Sequence, residues 1–223
     1  MRFVRAGTDF TPSTVMADLA PLDPLKATLA ALIGWLRDEN TRYMVIGGVA
    51  ASLLGRPRMT RDVDVLVWIE DDALWPGFLA SGRAHGFVPR VADAIGFASV
   101  SRVLLVRHVS GSIDVDISLG GIPFEDEALA RAGTGKLGDI EVPLPTPEDL
   151  VIMKAVAHRP RDTADIEGVL DAHPTLDREH IRQWVGEFAD GLDTPELLID
   201  VEKLLKRGEA KSPIRKGPKP RRR

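Results

Sequence analysis

Four aspartates and a pair of glycines carry the chemical content of this sequence. Gly47-Gly48 closes an apolar run, and thirteen residues separate it from Asp62-Val63-Asp64. Two glycines at the end of a strand let the backbone approach a ligand closely. A helix starting behind them turns its first amide N–H groups toward that ligand. The intervening Arg56-Pro57-Arg58-Met59-Thr60-Arg61 adds three guanidinium groups suited to bidentate contacts with phosphate. Asp62 and Asp64 stand two apart in a strand, so both project from one face. Carboxylates held this close repel unless a cation lies between them, and oxygen-only donors select a hard divalent ion, Mg²⁺ first.

A second pair, Asp114 and Asp116, shares one face of the run from residue 112 to residue 118, with Ile113, Val115 and Ile117 on the other. Laid beside the Asp64 strand, this run would bring three or four carboxylates together, which is how a two-metal phosphoryl-transfer site is built. A single D-x-D or Gly-Gly is common in solvated strands and turns. The ordered series is not: strand, Gly-Gly, short helix, arginine-rich loop, D-x-D strand, later Asp strand.

Hydrophobic periodicity supplies the frame for these residues. Leu25, Leu29, Leu32, Ile33 and Leu36 recur at helical spacing, with Asp23 as expected N-cap and Pro24 at the first position. Residues 42–46 read as a strand, 49–54 as a brief helix stopped by Gly55 and Pro57, and 63–69 as a strand buried on both faces. Residues 71–85 read as a helix interrupted at Pro76-Gly77. Strands are expected at 87–91, 102–109 and 112–119, with Ser110-Gly111 as a two-residue hairpin turn. Residues 123–131 form a helix whose first turn holds Glu125, Asp126 and Glu127, favourable at its positive end. A last short strand is expected at 139–143. From Thr146, an N-cap before Pro147, the pattern is helical, over residues up to 158, 162–172, 177–189 and 194–206. The expected organisation is an N-terminal extension (1–22), a mixed α/β (α+β) catalytic domain (23–145), a helical region (146–208) and a disordered basic tail (209–223).

Composition bounds the alternatives. The 223 residues, 44% hydrophobic and 28% charged, suffice for one substantial domain or two small ones. The absence of cysteine excludes disulfides, thiolate zinc sites, iron–sulfur clusters and a cysteine nucleophile. Met1-Arg2-Phe3-Val4-Arg5 builds no signal-peptide core, and the longest uncharged run, residues 43–55, is too short to span a bilayer. The expectation is a soluble, cytoplasmic protein with no membrane partner. The net charge of −4 conceals an asymmetry: residues 211–223 hold seven Lys and Arg and no acid, which leaves the rest at −11. Such a tail suits either a phosphate-seeking arm or a solubilising extension, whereas the acidic body is a poor nucleic-acid surface outside a local basic cleft.

Other signals fail on inspection. Gly133-Thr134-Gly135-Lys136 lacks the P-loop's first glycine, replaced by Ala130, and its Mg²⁺-binding hydroxyl, replaced by Leu137. His85, His108, His158, His173 and His180 show no metalloprotease spacing, and no G-x-S-x-G is present. Trp35, Trp68, Trp75 and Trp184 lie in apolar stretches and read as core or interface residues.

The stretch YMVIGGVAASLLGRPRMTRDVDVLV resembles the signature of the polymerase-β-like nucleotidyltransferase superfamily, in which Gly-Gly or Gly-Ser precedes a D-x-D. PFEDEALARA, PTPEDLVIMKAVAHRPRDTADIEGVL and LDREHIRQWVGEFA resemble the bacterial abortive-infection, AbiEii-type branch, so that the likeness runs over residues 25–190. The resemblance implies a minimal mixed sheet with flanking helices followed by a helical region, and transfer of a nucleoside monophosphate from an NTP to a hydroxyl. It implies that Gly47 and Gly48 meet the triphosphate and that Asp62 and Asp64 hold two Mg²⁺ ions. The third carboxylate would be Asp116, with Asp114 in reserve. It further implies Lys154 near the phosphates, with Asp165 orienting it. For an in-line attack that releases pyrophosphate, Arg58 and Arg61 are candidates either to stabilise charge on the departing phosphates or to serve in surface salt bridges. This sequence departs from the usual Gly-Ser at Gly48, leaving Ser52, a turn further on, as the nearest hydroxyl. The branch implies the toxin of a toxin–antitoxin pair, with an antitoxin protein as partner and tRNA or another RNA end as acceptor. Protein and small-molecule hydroxyls are the other acceptors open to this chemistry. The competing reading is a catalytically silent binding module on the same fold; the retained carboxylates argue against it, since buried unpaired acids cost stability.

Overall fold

Strands in which aspartate alternates with valine and isoleucine form the centre of the molecule. The computed structural model describes residues 19–211, with side chains described to residue 207. Most of the expected N-terminal extension and the expected basic tail lie outside the described residues.

A 3₁₀ turn (Ala20–Leu25) leads into α1 (Lys26–Asp38). Pro24 cannot donate to the helical ladder, so the α-helix begins only after it. Asp23 caps nothing and instead pairs with Lys26 at 2.6 Å. The chain continues through β1 (Arg42–Ile46), α2 (Gly47–Leu54) and β2 (Asp62–Trp68). The expected interrupted helix resolves into a 3₁₀ turn (Asp72–Leu74), α3 (Trp75–Ser81) and a second 3₁₀ turn (Gly82–His85). Pro76-Gly77 lies in the first turn of α3, where a missing N–H costs nothing, so it starts the helix rather than breaking it.

β3 (Phe87–Pro89) is shorter than expected, and α4 (Ala94–Ser101) follows where periodicity shows no helix. That helix has almost no polar face, with Phe97 and Val100 exposed; Asp93 caps it by accepting from the Gly96 amide at 2.8 Å. β4 (Val103–His108) and β5 (Ile113–Leu119) form a hairpin whose register pairs His108 with Ile113. Four residues rather than two therefore make the turn, with Ser112 at φ 50°.

α5 (Pro123–Arg131) is followed by the antiparallel pair β6 (Gly133–Leu137) and β7 (Ile140–Leu144). The P-loop-like Gly-Thr-Gly-Lys is thus strand β6, masked in the sequence by its glycines. Then come α6 (Pro147–Ala157), α7 (Asp162–Ala172), α8 (Arg178–Gly191) and α9 (Glu196–Lys211).

The main sheet has the order β1-β2-β5-β4-β3, with β2 and β5 parallel and the other neighbours antiparallel. This is the mixed sheet with flanking helices that the sequence leads one to expect. Val63, Val65, Val67, Val115, Ile117 and Leu119 fill one face of the central strands and are buried. One hydrophobic cluster joins α1, the sheet and helices α6–α9. Trp35 stacks on Phe78 and Phe87 at 4.6 and 5.3 Å, while Phe124 meets Trp184 and Phe188 edge-on at 5.1 and 5.5 Å, fastening α5 to α8. Buried Asp149 on α6 accepts from Arg131 at 2.9 and 3.2 Å and lies 3.2 Å from His180, a second tie across the same helices. Among the described residues, no helix is long and apolar enough to cross a membrane.

Candidate active site

The parallel register sets Asp62 opposite Asp114 and Asp64 opposite Asp116, so the expected convergence of the two aspartate pairs is present in the sheet. On the other side β1 places Ile46 opposite Asp64, which brings the next residue, Gly47, against that carboxylate. Gly47 has φ +64°, and a Cβ there would overlap the Asp64 side chain. Left-handed backbone and close approach both demand glycine. A Cβ on Gly48 would stand 2.6 Å from Thr60 Oγ1. That hydroxyl in turn donates to Asp62 Oδ1 at 2.7 Å. The glycine pair therefore seats the start of α2 directly on the aspartates.

Electrostatics separates Asp64, Asp114 and Asp116. Burial pushes the Asp64 carboxyl up, Asp62 and Asp116 push it further, and the Lys154 charge and Gly48 N–H oppose them. Burial also raises Asp116, against the pull of the Arg90 guanidinium. Asp114 is held low by Arg107, whose Nε donates to it at 2.6 Å, with Arg90 Nη1 donating at 3.0 Å. Arg90 Nη2 also bonds Asp116. Asp64 and Asp116, oxygen donors pressed toward neutrality by burial and by acidic neighbours, have the chemistry that suits a hard divalent cation. Among the described residues no three acidic or histidine side chains are gathered in metal-binding geometry, and Arg90 holds two of the four candidates.

A second cluster flanks the first. Lys154 Nζ, buried on α6, lies 2.8 Å from Asp162 Oδ1 and 2.8 Å from Asp165 Oδ2. Asp165 also accepts from Arg58 Nε and Nη2 at 2.6 and 2.7 Å. Burial pushes the Asp165 carboxyl up, but Arg58 and Lys154 together bring it below its ordinary value. The arginine loop is fastened to α7 at further points. Arg56 pairs with Asp171, a Cβ on Gly168 would come within 3.2 Å of the Arg56 amide, and His173 Nε2 donates to the Leu54 carbonyl at 2.7 Å. Ser52, the nearest hydroxyl to Gly48, is buried and donates to the Gly48 carbonyl at 2.9 Å while accepting from the Arg58 amide at 3.3 Å. It braces the loop and does not present its hydroxyl to a ligand.

Of the residues singled out by sequence, Gly47, Gly48, Asp62, Asp64, Asp114 and Asp116 share one locus, and the Lys154 charge reaches it. Arg58 is turned onto Asp165, whereas Arg61 is exposed and makes no ion pair among the described residues. Two site residues escape sequence reasoning. Asp162 had a signal, its spacing of three from Asp165 on one helix, which puts both acids on the face toward Lys154. Arg90 had none, because only the sheet's register brings it to the aspartates.

Similar folds are known. The antibiotic-resistance factor ANT(2'')-Ia, solved in solution, superposes with a TM-score of 0.54 at 18% identity, over 78% of this chain and 96% of that one. Its complex with adenylyl-2''-tobramycin gives 0.51 at 18% identity, over 75% and 98%. An antigenic nucleotidyltransferase-like protein from Paracoccidioides brasiliensis gives 0.50 at 17% identity, over 82% and 93%. At these identities the likeness is one of fold. No curated protein matches the sequence. Residues 25–195, which include every site residue named above, match the family described as "Nucleotidyl transferase of unknown function (DUF2204)", and the chain belongs to that nucleotidyltransferase family.

Proposed function

We propose that the protein moves a nucleoside monophosphate from an NTP to an acceptor hydroxyl in a Mg²⁺-dependent reaction that releases pyrophosphate. An RNA end, tRNA first, is the acceptor, and the chain serves as the toxin of a toxin–antitoxin pair. The observation that carries the chemistry is the parallel alignment of Asp62 and Asp64 with Asp114 and Asp116 against a glycine-started helix. The acceptor and the partner rest on the AbiEii-type resemblance of the sequence.

In this reading Asp62, Asp64 and Asp116 hold two Mg²⁺ ions. Bound there, the ions would acidify the attacking hydroxyl and neutralise the leaving pyrophosphate. Asp116 would accept the attacking hydroxyl's proton or hold the ion that acidifies it. Gly47 and Gly48 let the triphosphate lie against the backbone. Arg61, exposed and in no ion pair among the described residues, would meet the departing phosphates, and Lys154 places a buried positive charge beside Asp64. The α-phosphorus is attacked in line as the bond to the β-phosphate oxygen breaks.

The test incubates purified protein with Mg²⁺, each α-labelled NTP in turn, and total tRNA. Label entering RNA with one NTP supports the reading. Label entering protein moves the acceptor to a protein hydroxyl, and failure to bind any NTP leaves a silent module.

A further inference from the structure

Arg90 lies where transfer chemistry assigns it no task. Its amide donates to the Leu105 carbonyl at 2.9 Å, which continues the β3–β4 pairing one residue past the end of β3. Leu105 stands opposite Asp116, and Asp116 opposite Asp64. Arg90 therefore ends a cross-strand row that runs through the catalytic carboxylates, and its side chain reaches over Leu105 to them. Nη1 donates to Asp114 at 3.0 Å and Nη2 bonds Asp116, while Nε is buried and has no hydrogen-bond partner among the described residues.

The aspartates are thus unequally served. Among the described residues Asp114 has two guanidinium partners, Arg90 and Arg107; Asp116 has Arg90 alone; Asp64 has none. A guanidinium stays charged at any working pH, so it and a divalent cation compete for the same Asp116 oxygens and repel each other there. Asp114 loses nothing essential in that contest, since Arg107 keeps it paired.

We propose that Arg90 is a positioning residue, the resident counter-ion of Asp116, which holds that carboxylate in the row before metal arrives and yields it to a divalent cation while remaining on Asp114. This inference rests on the reading of Asp62, Asp64 and Asp116 as the ion-holding set.

Mn²⁺ titration calorimetry on the full chain without nucleotide tests it, together with thermal melts with and without Mn²⁺. Arg90→Gln is expected to bind Mn²⁺ about fivefold tighter or more. Its melting temperature should fall without metal, and the deficit should shrink at saturating Mn²⁺. In an Asp116→Asn background the same change should leave Mn²⁺ affinity unmoved. Arg90→Lys, which keeps the charge but loses the two-armed contact, serves if the glutamine variant does not fold, and should fall between wild type and glutamine in affinity. Wild-type binding with equal or weaker affinity in the variants, or a deficit independent of metal, would make Arg90 merely structural and leave the ion-holding reading intact. Absence of Mn²⁺ binding in wild type and variants alike would overturn both.

Discussion

Arg58 grips both carboxylate oxygens of Asp165, through Nε at 2.6 Å and Nη2 at 2.7 Å, across a sequence separation of 107 residues. The same carboxylate is shared with Lys154, which also holds Asp162. Two buried acids and two cations thus balance at the seam between the arginine loop and the helices that follow.

Removing one cation unbalances that seam. Lys154→Ala leaves Asp162 buried without a cation and Asp165 with Arg58 alone, and is expected to cost about 3–5 kcal/mol in urea unfolding. Arg61→Ala, with no protein partner among the described residues, should stay within about 0.5 kcal/mol of wild type. Similar stabilities for the two variants would show that the buried cluster is not formed in solution.

Asp116 and Asp114 alternate along one strand yet should differ in consequence. Asp116 aligns with Asp64, whereas Asp114 is committed to Arg90 and Arg107. Asp116→Asn is expected to slow single-turnover transfer by about a thousandfold, and Asp114→Asn by about tenfold or less. Equal losses would mean that both act on the reacting groups.

Asp64 is a charge the fold would be better without. Burial and its acidic neighbours disfavour the ionised form, so Asp64→Asn should abolish transfer while raising the metal-free melting temperature, by about 2–4 °C per kcal/mol gained. A lower melting temperature would mean that the carboxylate is structurally paired.

Gly47→Ala combines left-handed backbone with overlap on Asp64. The backbone term alone is worth about 1–2 kcal/mol, and relief of the overlap must displace the carboxylate. Transfer should fall by about a hundredfold or more while circular dichroism stays native. Full activity would remove Gly47 from the site.

His108 sets an acid limit on stability. It is buried, with Nδ1 2.9 Å from Thr28 Oγ1 and its ring against Phe87, and burial lowers its pKa from the ordinary 6.5. The folded state then binds fewer protons than the unfolded one, so stability is complete above pH 6.5 and declines as pH falls below it, until the lowered folded value is passed. Urea midpoints at pH 7 and 5.5 should diverge less in His108→Gln than in wild type. Equal divergence would assign the slope to other groups.

The aspartate strands are legible in the sequence because acid and β-branched residues alternate with period two, and α6 because Thr146-Pro147 starts it and its acids follow. Their adjacency is less so. Nothing local states that β5, rather than β3 or β4, lies beside β2; that follows from the order in which hairpins close on the sheet. The same distance effect hides Arg90, and it hides the division between Arg58 and Arg61. Those two arginines occupy one loop but end in different surroundings because α7 reaches only the first. Helix α4 escapes for a different reason: with Ile95, Phe97 and Val100 spread around it, no polar face marks the period. The acceptor is the least legible feature, since the residues that activate a phosphate do not encode what receives it.

The parallel pairing of β2 with β5 also governs how the chain comes to be folded. Parallel neighbours need a crossover, and here everything from residue 69 to residue 112 must be made before β5 can dock. Until then β2 keeps one edge bare, along Val63, Val65 and Val67, a template for pairing with a second unfinished chain. Nascent chains halted before residue 113 are therefore expected to be both inactive and prone to aggregate. Synthesis past that point meets two needs in one step, because the strand that covers the sticky edge is the strand that delivers the second pair of carboxylates; activity then waits only for α6, which brings Lys154, and the helices packed around it.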